Sequence, residues 1–208
     1  MIRPLLVVAA ATAAHAQTPA FTYEFQIAQP VLQPGQTTTV TVLVSFTPDI
    51  NEPISTPAGP LLVFGASRGG FDLHADAGSW TLGAPPWGSF LAPYMGPSQG
   101  TVAGSNVEGV AWGGLFGPIL CTTCLTNPAA LWRATFTAPQ EPGPIQLAAI
   151  PVGDHAVWAW DGIKLPTIEV FSQQTTGGAA VITVIPAPAA WPIAALAAIG
   201  ARRPRRTR

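Results

Sequence analysis

The stretch Thr37-Thr-Thr-Val-Thr-Val-Leu-Val-Ser-Phe46 is the clearest strand in the sequence. β-Branched residues dominate it, and valines recur at every second position from Val40 to Val44, so they share one face of an extended chain. Gln33-Pro-Gly-Gln36 before it has turn composition, and Phe21-Thr-Tyr-Glu-Phe-Gln-Ile27 alternates apolar and polar residues. The pattern predicts two strands joined by a Pro-Gly turn, the start of a β-sandwich.

Further short strands are predicted along the chain, each flanked by Gly, Pro, Ser or Asn. They are Leu61–Ala66, Phe71–Ala75, Ser79–Leu82, Val107–Trp112, Ala130–Thr137, Ile145–Pro151, Ala156–Trp160, Thr167–Phe171 and Ala179–Val184. Arg68-Gly69-Gly70 is predicted as a hairpin turn, and residues 47–60, with four prolines, as a loop or crossover. Helical periodicity is not sustained anywhere between Gln17 and Val184. The predicted fold class is therefore all-β, a single β-sandwich.

The part of the chain between the termini is acidic. Residues 17–184 hold three basic and ten acidic residues, a net charge of −7, whereas five of the nine basic residues of the chain lie in its last seven positions. An acidic body lacks the basic surface that nucleic-acid binding needs. The hydrophobic content of 48% and the seven tryptophans favour a packed domain over a disordered chain.

The N-terminus has the organisation of a secretory signal peptide. Arg3 supplies a positive charge, residues 5–14 are apolar or small, and Ala14-His15-Ala16 is a small-x-small cleavage site before Gln17. A first transmembrane helix is the alternative, but the segment is short and rich in alanine. Residues 1–16 are predicted to direct the chain to the secretory translocon, and the mature chain to begin near Gln17.

The last 24 residues have three parts in order. A short motif comes first, residues 189–201 are apolar and uncharged, and an arginine cluster ends the chain. The motif is Ile185, Pro186, Ala187 and Pro188, and the cluster is Arg202, Arg203, Arg205, Arg206 and Arg208. An apolar segment partitions into lipid, and arginines are held at the anionic cytoplasmic leaflet. Residues 185–208 are predicted to stop translocation through a short transmembrane helix, with the body outside the cell.

This tail resembles the PEP-CTERM sorting signal of bacterial envelope proteins in its Ile-Pro-Ala-Pro form, with Ala187 at the usual position of glutamate. The resemblance implies export, processing near the proline motif by an exosortase-type membrane transpeptidase, and delivery to the cell surface or extracellular matrix. The order of the body's features, from the Gln33–Gln36 turn to the final strand Val181-Ile-Thr-Val184, resembles cohesin-like and immunoglobulin-like ectodomains. It implies that residues 17–184 form a sandwich of that kind.

Cys121 and Cys124 are the only cysteines. In an exported chain the pair most simply forms a local disulfide. Free thiols and a metal or redox site are the alternatives, but a structural zinc site needs two further ligands that the sequence does not supply nearby. No cofactor is predicted.

Asp72, His74 and Asp76 alternate through one predicted strand, so their side chains share a face. Carboxylates and an imidazole on one face can ligate a metal or perform acid-base chemistry. The same alternation arises on a solvated outer face above a buried Phe71, Leu73 and Ala75, and this interpretation is favoured. Asp154-His155 is a second acidic-histidine pair, predicted in a turn.

The tryptophans fall into two groups. The first, which comprises Trp80, Trp87 and Trp112, lies in Gly/Pro-rich segments, where a ring either stacks on sugars when exposed or packs in the core; Trp87 and Trp112 are its candidate ligand-binding residues. The second lies in alternating strands, where a large apolar ring favours burial in the core, and comprises Trp132, Trp158 and Trp160.

No nucleophile elbow, phosphate loop, dinucleotide fingerprint or paired-histidine zinc motif occurs in the sequence. The sequence therefore favours a non-enzymatic exported protein. A carbohydrate-binding or adhesion module that uses the loop tryptophans, with a polysaccharide partner, is the first alternative. A metal-dependent envelope enzyme that uses Asp72, His74 and Asp76 is the second.

Overall fold

The structure is all-β where it is described. A computed structural model describes residues 18–57, 59–83, 98–113, 126–163 and 168–187, and these ranges hold fourteen strands and no helix. In chain order the strands are β1 Ala20–Ile27, β2 Val31–Leu32, β3 Thr37–Thr47, β4 Pro53–Thr56, β5 Gly59–Ala75, β6 Ser79–Leu82, β7 Ser98–Ala103, β8 Asn106–Gly113, β9 Ala129–Thr137, β10 Gly143–Pro151, β11 Ala156–Trp160, β12 Ile168–Phe171, β13 Gln174–Thr176 and β14 Gly178–Val184. The predicted fold class is confirmed for this part of the chain.

The predicted signal peptide and most of the tail lie outside the described residues. This holds for Ala14, Ala16, Gln17, Pro188, the apolar segment and the terminal arginines. Residues 185–187 of the sorting motif are described. A search of the described ranges finds no helix with the length and apolar character that crossing a membrane requires.

The smaller sheet is centred on β3 and has the order β13-β1-β3-β9-β6. β3 pairs antiparallel with β1 on one side and with β9 on the other. Its valines at positions 40, 42 and 44 are fully buried together with Phe46, as the alternation predicts. The stretch of sequence with the strongest strand pattern thus forms the centre of its sheet.

The larger sheet is built along β5, which is 17 residues long. Phe71 pairs with both β8 and β10, and Arg68 pairs with both β8 and β11. A strand residue has one neighbour on each edge, so β10 and β11 follow one another along one edge, and β8 lies along the other. β14 continues the sheet beyond β10, and β2 pairs in parallel with β14.

Side chains from both sheets meet in one core. The largest fully buried side chains are Trp132, Tyr23, Phe21, Phe46, Phe71 and Phe136. Burying each aromatic or aliphatic side chain stabilises the fold by roughly 1.5 to 3 kcal/mol. The core therefore depends on aromatic residues of both sheets, with Phe71 contributed by the larger one.

The predicted turn at Gln33–Gln36 is present, but it joins different strands. Gln36 N donates to Gln33 O over 3.0 Å, and Gly35 has a φ of 73°, which glycine adopts without strain. Before this turn the chain leaves the smaller sheet and forms β2 in the larger one. The pair of β1 and β3 is therefore not a simple hairpin, because the intervening β2 crosses to the other sheet.

The prediction of a hairpin turn at Arg68-Gly69-Gly70 is wrong. These residues lie in the middle of β5, and the two predicted strands are one continuous strand. A Cβ on Gly69 would lie 2.3 Å from Trp112 Cζ2 and 2.6 Å from His155 Cδ2. The glycine is required there because two ring systems pack directly against the backbone, and no turn is needed to explain it.

The prediction that residues 47–60 form only a loop or crossover is also wrong in part. β4 lies within this segment and pairs with the start of β5. Pro53 is tolerated because it is the first residue of its strand, where a missing N–H costs least.

Candidate binding surface

A buried polar cluster lies between the sheets at the centre of β5. Tyr23 Oη donates to Gly70 O over 2.9 Å and lies 2.7 Å from His155 Nε2. His155 Nδ1 lies 3.2 Å from Gly153 O, and the histidine is 3% exposed. Sequence alternation places Tyr23 inside, but it gives no indication that His155, after a predicted turn, is buried against it.

These three contacts require more protons than the neutral groups hold. The Tyr23 hydroxyl has one proton, which its contact with Gly70 O uses, and a neutral imidazole has one more. Both nitrogens of His155 face oxygen atoms, so only the imidazolium satisfies all three contacts. Proton positions follow here from the hydrogen-bond network. Hydrogen bonding therefore favours the protonated form of His155, whereas burial opposes it.

Burial is the larger of these two effects on His155. It lowers the pKa of His155 below the ordinary value of 6.5, while the carbonyls of Gly153 and Gly70 and the carboxylate of Asp154 act in the opposite direction. Burial also raises the pKa of Tyr23 far above its ordinary value, so the phenol stays protonated. The Trp112 indole beside it opposes this rise, although Trp112 Nε1 makes no hydrogen bond of regular geometry.

A depression lies above this cluster on the surface of the larger sheet. Its volume is about 340 Å³, at the lower end of the range for small-ligand pockets. Glycines and small residues of β5 and β8 line it, together with Trp112, residues 152–154 and the charged groups of Arg68 and Asp154. We call this region the glycine depression; it exists because Gly70, Gly109 and Ala111 carry little or no side chain on this side of the sheet.

Next to it the larger sheet carries an outward aromatic face. Val157 and Ala159 of β11 are fully buried, so the alternating Trp158 and Trp160 point to the opposite, outer side. Phe64 is the extra residue of a bulge in β5, and its ring centroid lies 4.9 Å from that of Trp160. We call Phe64, Trp158, Trp160 and the half-exposed Phe171 the aromatic face.

An ion pair connects the aromatic face with the glycine depression. Arg68 binds both carboxylate oxygens of Glu169, with Nε 3.0 Å from Oε1. Ser67 Oγ donates to the same carboxylate, and the Arg68 guanidinium lies 5.5 Å from the centroid of the Phe171 ring. Ser67 is the extra residue of a second bulge in β5. The bulges bring these side chains to the outer side of the sheet.

Asp72, His74 and Asp76, which the sequence singled out, alternate with buried residues at and just beyond the end of β5. Phe71, Leu73 and Ala75 are buried and His74 is exposed, as the favoured interpretation predicts. Asp72 Oδ1 accepts Gly109 N–H over 2.8 Å, and Asp76 Oδ2 accepts Gln146 N–H over 3.0 Å. These carboxylates thus bind backbone amides of the neighbouring strands β8 and β10. Groups of three or more potential metal ligands do not occur within the described ranges.

The two histidines do not meet. His155 lies in the core beside Tyr23, whereas the exposed His74 lies opposite Ala148 of β10. A shared site of the two histidines is therefore excluded by their positions on opposite sides of the larger sheet.

The tryptophan predictions are confirmed for Trp132 and wrong for Trp112, Trp158 and Trp160. Trp112 is 4% exposed and Trp80 is 6% exposed, so neither ring is an open sugar platform. Of the strand tryptophans, Trp132 is fully buried as predicted, but Trp158 and Trp160 lie on the outer side. Their alternation with Val157 and Ala159 indicated a shared face. Only the position of β11 in the sheet decides which face is covered. Trp87 and the cysteines Cys121 and Cys124 lie outside the described residues.

Comparison with known proteins gives structural similarity alone. No family model and no curated protein matches the chain. The seventh ScaB type I cohesin from Pseudobacteroides cellulosolvens is 13% identical with a TM-score of 0.45, over 80% of this chain and 94% of that one. A chain of the Coh-OlpA-Doc918 cohesin-dockerin complex from Clostridium thermocellum is 14% identical with a TM-score of 0.48, over 79% and 99%. CaCohA2 from Clostridium acetobutylicum is 15% identical with a TM-score of 0.42, over 78% and 90%. At these identities and scores, no partner, activity or residue role is carried over.

Proposed function

We propose that this chain is an exported, non-enzymatic protein of the cell surface or extracellular matrix. Its sandwich is a binding module, and residues 185–208 are a sorting signal for an exosortase-type transpeptidase. The observation that carries the proposal is that β14, the last strand of the sandwich, runs directly into the proline motif. Thr183 N donates to Pro30 O and Ile185 N donates to Leu32 O, each over 2.8 Å. The last strand is thus hydrogen-bonded up to the first residue of the proline motif.

The proline motif is suited to end the sheet. Pro186 has no N–H to continue the ladder, so the chain leaves β2 at this residue. The tail differs from the body in charge, since five arginines follow a body of net charge −7. In the proposed route the N-terminal signal engages the translocon, the arginines hold the C-terminus at the cytoplasmic leaflet, and the transpeptidase acts near Pro186.

The test is intact-mass spectrometry of the protein recovered from the membrane and from the medium of its native host. We expect a mature species that begins near Gln17 and ends near Pro186. Replacing the five terminal arginines by serine should abolish this processed species, whereas Arg133→Ser, on an exposed position of β9, should leave it unchanged. A species that keeps the arginine tail in every fraction would refute processing and make the tail a permanent anchor.

A further inference from the structure

We propose that the aromatic face and the glycine depression together bind an extended, uncharged glycan chain. This inference rests on the proposed function, because a polysaccharide partner requires a protein outside the cell. It replaces the sequence-based choice of Trp112, which is buried, with Trp158 and Trp160, which lie on the outer side of the larger sheet.

The aromatic face presents rings on which a ligand can stack. Trp158, Trp160 and Phe64 are only partly buried, and Phe171 is 47% exposed. Large aromatic rings on the outer side of a sheet leave apolar area in water that a partner can cover. A sugar ring offers an apolar C–H face for stacking and hydroxyl groups at its edge, so it can use the rings and the polar groups between them.

The charges of the surface select an uncharged partner. The carboxylate of Glu169 neutralises the guanidinium of Arg68 in a two-point contact. The rest of residues 17–184 is acidic, with a net charge of −7, and this charge repels anionic polymers. Asp154, on the wall of the glycine depression, offers a carboxylate acceptor to hydroxyl groups. The surface therefore lacks the excess positive charge that an acidic polysaccharide needs.

The dimensions of the surface favour a chain over a single small molecule. Leu62 of β5 pairs with Trp160, and Gly70 lies eight residues further along the same strand, in the glycine depression. At about 3.3 Å per residue this path is about 25 Å long. Because Arg68 lines the depression and lies against Phe171 of the aromatic face, one extended ligand can stack on the aromatic rings and place a terminal or branching unit in the depression.

The experiment measures retention of the purified full-length chain, in mild detergent, on a panel of polysaccharides. Cellulose, mannan and starch are the neutral probes, and alginate is the anionic probe. We expect retention on at least one neutral probe and a three- to tenfold loss in affinity for Trp158→Ala and for Trp160→Ala, consistent with one lost stacking contact. Val181→Ala, which alters another exposed apolar residue on β14, is the matched control and should bind normally.

A conservative variant separates stacking from unfolding. Trp158→Phe keeps an aromatic ring, so a loss of binding by the alanine variant that the phenylalanine variant largely restores supports stacking and excludes simple unfolding. Absence of retention on every neutral probe overturns the proposal, as does equal retention of both tryptophan variants or retention on alginate alone. Concentration-dependent self-association that Trp160→Ala abolishes, without glycan binding, overturns it and assigns the face to a second copy of the chain. The binding assay needs no processing of the tail, so its failure is distinct from failure of sorting.

Discussion

The substitution Gly69→Ala tests the packing at the centre of β5 most directly. A methyl group at this position would approach Trp112 Cζ2 to 2.3 Å and His155 Cδ2 to 2.6 Å. Neither ring can withdraw freely, because Phe21 lies against both, with ring centroids 6.2 Å from Trp112 and 5.5 Å from His155. Overpacking of a close-packed core costs about 1 to 3 kcal/mol.

Two smaller effects enter the expected magnitude. Displacing His155 weakens its contact with Tyr23, which adds about 1 kcal/mol of destabilisation. Replacing glycine by alanine restricts the unfolded chain and offsets about 0.4 to 1 kcal/mol. We therefore expect Gly69→Ala to lower the free energy of unfolding by about 1 to 3.5 kcal/mol, which is the overpacking and hydrogen-bond cost less the unfolded-state offset. For a domain of this size the melting temperature falls by about 3 to 10 °C.

Circular dichroism melts and urea denaturation of the purified full-length chain measure this change. Gly83→Ala is the matched control, because a methyl group there would lie 3.8 Å from its nearest neighbour, Arg133 O. We expect the control to melt within about 2 °C of the unmodified chain, as surface substitutions usually do. If Gly69→Ala is as stable as this control, the rings do not pack on the backbone of β5 and the reasoning fails.

Three other outcomes follow from the buried cluster and the ion pair. Because burial lowers the pKa of His155, the unfolded state takes up a proton more readily than the folded state does. The contribution of His155 to the free energy of unfolding is therefore fully present above pH 6.5 and falls as the pH drops from 6.5 towards the lowered pKa. His155→Gln should flatten this part of the pH profile of the melting temperature, and an unchanged slope would exclude His155 as its source. Tyr23→Phe removes the hydroxyl group that contacts Gly70 O and His155 Nε2. The urea midpoint should therefore fall by the equivalent of about 1 to 3 kcal/mol at constant m-value. An unaltered midpoint would contradict the observed contacts. Glu169→Gln should cost about 1 kcal/mol or less, and less still at high salt, because Arg68 is half exposed; a salt-independent loss above about 2 kcal/mol would show a larger structural role.

The local alternation of apolar and polar residues was sufficient to predict the strands that bury one face. Val40 to Val44 alternate within β3, and the predicted strand Ala156–Trp160 has the bounds of β11. Period-two alternation works at such positions because successive side chains point to opposite faces. It fails at Arg68-Gly69-Gly70, where the same residues that suggest a turn are required by rings packed on a strand. It also misses β2, β4, β7 and β13, which bury at most one residue each and therefore show no alternation with a buried face.

The candidate binding surface was accessible to sequence reasoning only in part. Alternation indicated that Trp158 and Trp160 share a face, but their hydrophobic character favoured the core. In the structure, Val157 and Ala159 take the inner positions and the tryptophans remain outside. The partners of this surface, Phe64 and Arg68, lie on another strand and reach it through bulges, which no pattern of single residues specifies.

By itself the sequence determined the all-β class, the strand that forms β3, the shared face of its valines and the acidic character of the body. Those properties depend on side-chain alternation and on charge, which are local or additive. Only the tertiary structure decided that His155 is buried against Tyr23, that Gly69 lies under two rings, and which tryptophans face outward. Those properties depend on contacts between residues far apart in the chain, such as Tyr23 and His155, which are 132 residues apart. The burial of a side chain is set by the strands that cover it, and the chain's own pattern does not identify those strands.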